Sequence, residues 1–168
     1  MAISAQVPVE EYLRTSYDPD CEYVDGEVLE RNVGEKNHSK IQARLVAFLL
    51  AHAGEFGTFS LPEWRMCIAP GRYRIPDVLI VAGPEPDEKV LTTPPLVCVE
   101  ILSPEDRVSR MQNKIAEYLA FGVRYVWVLD PETKEAFVYT SGGMKKVDDG
   151  FLRTENPALS IPLDQLFD

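Results

Sequence analysis

Cysteine and histidine are scarce in this sequence, which limits the metal and disulfide sites that it can build. Three cysteines and two histidines occur among 168 residues. Cys21, Cys67 and Cys98 are an odd number and lack the spacing of a zinc site. Because such a chain suits a reducing compartment, we expect a cytoplasmic protein.

Long apolar runs are also missing. No uninterrupted apolar stretch approaches the ~20 residues that a membrane helix needs. The first residues lack the basic and then apolar segments of a secretory signal. We therefore expect no membrane partner.

Basic residues are in deficit, with 17 Lys and Arg against 27 Asp and Glu, for a formal charge of −10. Tight non-specific binding of nucleic acid over the whole surface is therefore not expected, since such binding depends on neutralising phosphates. The excess is uneven: residues 1–30 hold one base and eight acids, whereas residues 31–81 hold seven bases and four acids. The basic middle is either a functional surface or an ordinary solvated one.

The apolar fraction of 45% and the length suit one folded domain with its own core. We find no internal repeat and no low-complexity linker. We predict a single domain over residues 1–168, with an N-terminal helix and hairpin in 1–35, a core in 36–130 and a C-terminal hairpin and tail in 131–168.

The periodicity of the core predicts helices and strands in a definite order. A short helix within residues 8–16 and a hairpin over 21–31, turning at Asp25-Gly26, precede it. A helix capped by Asn37 and a helix that begins at Pro104, capped by Ser103, are expected on either side of three strands. The predicted core elements are a helix at 37–53, strands at 63–68, 74–81 and 96–102, a helix at 104–121 and a strand at 124–129. This order predicts an α/β (α+β) sandwich with a mixed sheet.

Two carboxylates interrupt strands that are otherwise apolar. Asp77 precedes Val-Leu-Ile-Val, and Glu100 lies within Val-Cys-Val-Glu-Ile-Leu. A buried ionised acid is costly unless it is paired or binds a metal, and two such acids on neighbouring strands could hold Mg²⁺. Either acid could instead face solvent or pair with Arg65, Arg72 or Arg74.

Three further side chains are candidates for the same site. Lys114 lies at the edge of the apolar stripe of the second long helix, near Met111 and Tyr118, and could extend toward the sheet. Ser103 follows the Glu100 strand, and its simplest role is a helix cap. His38 lies on the apolar side of the first long helix, where a histidine is more often structural than functional.

Several motifs together resemble one family. The strings VEILSPEDR and NKIAEYLAFGVRYVWVLDPET, with RIPDVLIV, EYVDGEV and NHSKI upstream, are similar to the Uma-type putative restriction endonucleases of the PD-(D/E)XK nuclease superfamily. The resemblance covers the chain from about Tyr12 to Tyr139. It implies a restriction-endonuclease-like core of order α-β-β-β-α-β, flanked by helices, with β-hairpins added at both ends.

The resemblance also implies a metal site. Asp77 matches the Asp of the family motif, Glu100 matches its second acid, and the main-chain carbonyl of Ile101 would complete the protein's ligands for Mg²⁺ or Mn²⁺. The expected lysine two positions after Glu100 is replaced by Leu102. In related branches this lysine has moved to the following helix, and Lys114 is the candidate here.

Further residues match the resemblance less specifically. Accessory roles are implied for Glu22 or Glu27, His38, Tyr118 and Ser103. Three arginines lie near the proposed site in the sequence, so we expect nucleic-acid contacts from Arg74, Arg107 and Arg110.

We therefore expect a metal-dependent endonuclease that hydrolyses phosphodiester bonds in DNA and binds DNA weakly. By analogy with restriction-like enzymes, it would act as a homodimer or higher homo-oligomer. A catalytically inactive nuclease-fold interaction module is the alternative. A hydrolase of small phosphates has no positive support, because no glycine-rich phosphate loop is present.

Overall fold

A six-stranded mixed sheet forms the centre of the protein, which we describe from a computed structural model covering residues 6–32 and 34–167. The helices are α1 (Val9–Arg14), α2 (Lys36–Ala51), α3 (Ala53–Phe56) and α4 (Val108–Phe121). The strands are β1 (Cys21–Val24), β2 (Glu27–Glu30), β3 (Thr58–Pro62), β4 (Met66–Ala69), β5 (Arg72–Arg74), β6 (Val78–Ala82), β7 (Val97–Ile101), β8 (Tyr125–Asp130), β9 (Glu135–Thr140), β10 (Gly143–Lys146), β11 (Phe151–Thr154) and β12 (Leu159–Pro162).

The central sheet has the strand order β10-β9-β8-β7-β6-β3. Only β7 and β8 pair in parallel among these strands, so the sheet is mixed. Helix α4 connects β7 to β8, as a parallel pair requires a crossover. The order α2, β3, β6, β7, α4, β8 confirms the predicted α-β-β-β-α-β core and its fold class.

Each face of the central sheet is covered by one long helix. Leu45 and Leu49 of α2 pack with Val97 and Val99 on one face. Ile115 of α4 packs on the other face with residues that include Cys98. Strand β7 is therefore almost continuously apolar, because both of its faces are buried. Side chains alternate between faces along a strand, so Glu100 shares the α4 face with Cys98.

A smaller antiparallel sheet, of order β2-β1-β5-β4, lies beside the central sheet. It contains the predicted N-terminal hairpin, with Val24 opposite Glu27 across the Asp25-Gly26 turn. Strand β1 also pairs with β5. This second pairing brings the N-terminal hairpin next to the segment that leads into β6.

Two of the predicted core strands differ from those observed. The strand predicted at 63–68 is not in the central sheet: β3 occupies that position, and β4 pairs with β5 in the smaller sheet. The strand predicted at 74–81 is divided into β5 and β6 by Ile75-Pro76-Asp77. Pro76 has no N–H to donate to a ladder, which favours a break there.

The predicted N-caps of both long helices are wrong. Helix α2 follows Glu35 and makes no side-chain cap, so Asn37 is not its N-cap. Helix α4 begins at Val108, which is 78% exposed, rather than at Pro104. Its end is as predicted, because Gly122 adopts φ 112° there, a conformation that favours glycine.

No helix within the described residues is long and apolar enough to cross a membrane.

Candidate functional site

Asp77 and Glu100 meet at one end of the β6–β7 pair. In the antiparallel register Val78 lies opposite Val99, so the two acids flank the same step of the ladder. The Ile101 N–H donates to Asp77 Oδ2 at 2.7 Å. Both acids are buried, with exposures of 5% and 4%. The expectation that neighbouring strands bring the carboxylates together therefore agrees with the geometry.

Lys114 reaches this pair from α4. Its Nζ lies 2.9 Å from Glu100 Oε1 and 3.2 Å from Glu22 Oε1. One helical turn later, the Tyr118 hydroxyl donates to Glu100 Oε1 at 2.6 Å. The spacing of four residues places both side chains on the face of α4 that covers the sheet. Glu22, Lys114 and Tyr118 thus converge on Glu100.

Arg31 and His38 also contact Asp77. Arg31 Nη2 lies 2.8 Å from Asp77 Oδ1, and His38 Nε2 lies 3.2 Å from Asp77 Oδ2. His38 is therefore next to the site, as the resemblance implied. Arg31 was missed by the sequence analysis. It follows the β1–β2 hairpin, and nothing in its local pattern indicates a partner in β6.

These side chains enclose a cavity of about 40 Å³. Its lining brings together the predicted residues Glu22, His38, Asp77, Glu100, Ser103 and Lys114. A water-sized sphere occupies roughly 10–15 Å³, so the cavity has room for a few atoms of solvent or a small ion. A nucleotide base would not fit inside it.

Burial and neighbouring charges shift the pKa values of Glu100 and Glu22 in opposite directions. Burial raises the pKa of Glu100 to about 7; Lys114 opposes the increase, while Asp77 and Glu22 add to it. Burial also acts to raise the pKa of Glu22, but Lys114 and Arg74 outweigh it and lower that pKa to about 2. Glu22 is therefore a permanent anion, whereas Glu100 titrates near neutrality.

The pKa values of Lys114 and His38 are raised and that of Asp77 is lowered, in line with their contacts. Burial acts to lower the pKa of Lys114, but Glu100 and Glu22 raise it above its ordinary value. Burial likewise opposes the raised pKa of His38, which the hydrogen bond to Asp77 produces. The pKa of Asp77 is lowered despite burial, because His38 and Arg31 stabilise the anion.

Three predicted residues are placed differently from the sequence expectations. Glu27 is exposed on β2 and does not line the cavity, so Glu22 is the hairpin glutamate of the site. Ser103 caps no helix: its N–H and hydroxyl both contact Asp106 Oδ2, at 2.7 and 3.1 Å. Arg74 is buried between Glu22 and Glu117, and this placement argues against its predicted contact with nucleic acid.

The other two residues predicted to contact nucleic acid, Arg107 and Arg110, remain accessible. Arg107 immediately precedes α4 and is exposed. Arg110 is also exposed, lines the mouth of the cavity and donates to the Glu30 carbonyl at 3.1 Å. Both could meet a phosphate that approaches the cavity.

The oxygen-rich donor set fits a hard divalent cation better than zinc. Among residues 6–32 and 34–167, no group of three or more His, Cys, Asp or Glu side chains is arranged to hold a metal. Asp77 and Glu100 provide two carboxylates, the number that Mg²⁺ commonly takes from a protein. In the described part of the chain, the contacts to Glu100 end on Oε1, so Oε2 is available to a ligand.

Comparison with known proteins gives a family and a fold. A family model described as "Uma2: Putative restriction endonuclease" matches residues 9–164. A crystal structure from Anabaena variabilis, described as a putative nuclease belonging to DUF820, is similar with a TM-score of 0.82 at 20% sequence identity. The alignment covers 96% of this chain and 97% of that chain. No curated protein matches the sequence significantly.

Proposed function

The chain belongs to the Uma2 family, whose description is putative restriction endonuclease, and we propose that it is a metal-dependent endonuclease that hydrolyses phosphodiester bonds in DNA. The observation that carries this proposal is the convergence of Asp77, Glu100 and Lys114 on one buried cavity. Burying two acids and a lysine together is costly, which favours a functional role for the cluster.

Asp77, Glu100 and the Ile101 carbonyl would hold the cation, Mg²⁺ or Mn²⁺. When bound, the cation would polarise the scissile phosphate and lower the pKa of a water molecule. Glu100 would have to be ionised to serve as a ligand, and its pKa of about 7 makes this pH-dependent. Asp77 is already ionised, because Arg31 and His38 stabilise its charge.

Lys114 supplies a positive charge close to Glu100 in the cavity. Its ammonium lies 2.9 Å from Glu100, so a phosphate oxygen near that carboxylate would also come within its reach. There it would orient the attacking water or stabilise the charge that develops on the phosphate. A lysine on α4 therefore takes the place of the motif lysine that Leu102 replaces.

Arg107 and Arg110 would contact the phosphates on either side of the cleaved bond. Both are exposed at the start of α4, and Arg110 lines the cavity. With a whole-chain charge of −10, these local contacts support weak, salt-sensitive binding at one cleft rather than tight binding over the surface. Cleavage of both strands of a duplex would require two such sites, as in a homodimer.

One observation favours the alternative, a catalytically inactive interaction module. Both oxygens of Asp77 already have partners: Arg31 on Oδ1, and His38 and the Ile101 N–H on Oδ2. A cation would have to share or displace these contacts. If it cannot, the fold would keep its charged cluster for stability or assembly alone.

The test compares four variants on supercoiled plasmid DNA with Mg²⁺ or Mn²⁺. Asp77→Ala, Glu100→Ala and Lys114→Ala should each lose nicking activity by at least about 100-fold. Lys89→Ala, which removes an exposed lysine far from α4 in the sequence, should nick at the rate of the original protein. Equal nicking by all of them would refute the site, and absence of Mg²⁺ binding in calorimetry would favour the inactive module.

A further inference from the structure

Five charged side chains of alternating sign form a continuous row that begins at Glu100. Lys114 Nζ lies 2.9 Å from Glu100 and 3.2 Å from Glu22. Arg74 then joins Glu22, at 2.9 Å, to Glu117, at 2.7 Å. The row passes from β7 through α4 and β1 to β5 and returns to α4. It therefore connects the smaller sheet to the candidate site.

We propose that Glu22 is a positioning residue, which holds the Lys114 ammonium in the cavity when Glu100 is engaged by a divalent cation. This inference rests on the proposed nuclease function. Glu22 acts through Lys114 and is not itself a catalytic residue. Arg74 in turn fixes Glu22.

The argument begins with the two carboxylate partners of Lys114. A carboxylate that binds a divalent cation loses most of its attraction for a nearby ammonium, because the cation opposes its charge. If Glu100 were the only partner, cation binding would leave Lys114 as an unpaired buried charge beside a second cation. Glu22 remains as a counter-ion in that state, so Lys114 keeps both its charge and its position.

Glu22 is unusually well held for this role. Its side chain is fully buried, at 0% exposure. Oε2 accepts from Arg74 Nη1 at 2.9 Å, and Oε1 accepts from the Ile75 N–H at 3.1 Å. These two bonds hold the carboxylate in place independently of Lys114. The low pKa of Glu22, about 2, agrees with a group that stays ionised at working pH.

If the row of charges were purely structural, Arg74 would need only one of its two carboxylate partners, Glu22 or Glu117. Arg74 already has Glu117 as a partner, so the Arg74 charge is neutralised without Glu22. Replacing a buried ion pair by apolar residues is often neutral or stabilising. A second buried carboxylate beside Lys114 therefore has a function in keeping the ammonium at the site.

The first experiment measures Lys114 directly and needs no catalysis. The ¹⁵Nζ signal of a lysine ammonium is observable by NMR when its protons exchange slowly with water. With Mg²⁺ present, Lys114 should give such a signal in the original protein. Glu22→Gln should increase the exchange rate of the Lys114 ammonium protons at least 10-fold. Glu30→Gln, which changes an exposed glutamate on the other strand of the same hairpin, should not.

The second experiment is a double-mutant cycle on nuclease kinetics. Glu22→Gln should lower kcat about 10- to 100-fold while KM for an oligonucleotide changes less than twofold, as is typical of supporting partners in a site. Because Glu22 acts through Lys114, Glu22→Gln should cause no further loss in a Lys114→Met background. Glu22→Asp keeps the charge and should restore part of kcat.

The outcomes separate the two proposals. If the original protein cleaves nothing but its Lys114 signal responds to Glu22→Gln, the nuclease function fails and the anchoring of Lys114 stands. An unchanged Lys114 signal in Glu22→Gln overturns the anchoring, as does an equal loss of kcat in the Lys114→Met background. If Glu22→Gln does not fold, Glu22→Asp gives the same NMR comparison with a weaker expected effect.

Discussion

Glu100→Gln replaces a buried carboxylate by a neutral side chain of nearly the same shape, and we predict that it stabilises the metal-free protein at alkaline pH. An ordinary glutamate titrates near 4.5, whereas the pKa of Glu100 is about 7 because the side chain is buried beside Asp77 and Glu22. Ionising Glu100 in the folded protein is therefore unfavourable. Glutamine removes that cost and keeps the volume.

The direction in which the unfolding free energy changes with pH follows from proton binding. Between pH 4.5 and about 7 the folded protein holds a proton on Glu100 that the unfolded chain has lost. Since the folded state binds more protons in this interval, the free energy of unfolding falls as the pH rises. Each pKa unit is worth about 1.4 kcal/mol, so the full decrease is about 3 kcal/mol. Glu100→Gln lacks this decrease.

Urea denaturation at pH 5 and pH 8, with EDTA present, measures the difference. The gap in unfolding free energy between Glu100→Gln and the original protein should move in favour of the variant by about 2–3 kcal/mol from pH 5 to pH 8, because part of the full decrease has already occurred at pH 5. His38, whose pKa is raised by its hydrogen bond to Asp77, is present in both proteins. Glu85→Gln, in an exposed loop, should show no such change.

Addition of Mg²⁺ at pH 8 should remove most of this gap. At a free cation concentration of 100 times its Kd, binding stabilises the folded state by about 2.7 kcal/mol. Only the protein with both carboxylates should gain this stabilisation. If the unfolding free energies of the two proteins changed by the same amount between pH 5 and pH 8, the reasoning would be refuted. Glu100 would then have the same pKa in the folded and the unfolded protein.

Three further changes test the binding surface and the fold. Arg107→Ala should weaken binding of a DNA duplex in Ca²⁺, measured by fluorescence anisotropy, and reduce the slope of log K against log salt by about 1; an unchanged slope would exclude a phosphate contact. Leu45→Ala, in the core under α2, should cost about 3 kcal/mol in urea denaturation, whereas Leu50→Ala, 55% exposed on the same helix, should cost less than about 0.5 kcal/mol. Gly122→Ala should cost about 1–2 kcal/mol, because φ is 112° and the added Cβ would lie 3.1 Å from Pro94 Cγ. The matched change Gly54→Ala, in open space within α3, should be neutral or slightly stabilising in the same assay.

The sequence was sufficient to predict the elements with one strong pattern. Strand β7 is an apolar run with a single acid, and α4 shows a helical stripe that ends at a glycine. Both patterns arise from burial against the central sheet, so they are visible locally. The closeness of Asp77 and Glu100 could be expected because they lie on adjacent buried strands, where an acid is costly unless it is paired or binds a metal.

The elements that were missed depend on contacts between distant parts of the chain. Strand β3 has a mixed polar and apolar pattern, and its pairing with β6 defines it as a strand of the central sheet. Arg31 reaches Asp77 only because β1 pairs with β5, which precedes β6. The sequence pattern around Arg31 or around Asp77 does not indicate that β1 pairs with β5. For the same reason Glu22 and Glu27, two residues of one hairpin, could not be distinguished from the sequence.

The location of the acidic residues changes what the net charge implies about nucleic acid. Residues 1–30 account for most of the acidic excess, yet two of their acids are neutralised within the fold: Glu22 by Lys114 and Arg74, and Asp25 by Arg72. These contacts also consume arginines that the sequence offered as a basic surface. Of the three arginines predicted to contact nucleic acid, Arg107 and Arg110 are exposed at the start of α4, and Arg110 lines the cavity. If DNA binds at this cleft as proposed, two phosphate contacts would supply little of the affinity, so binding should depend on the divalent cation more steeply than on salt.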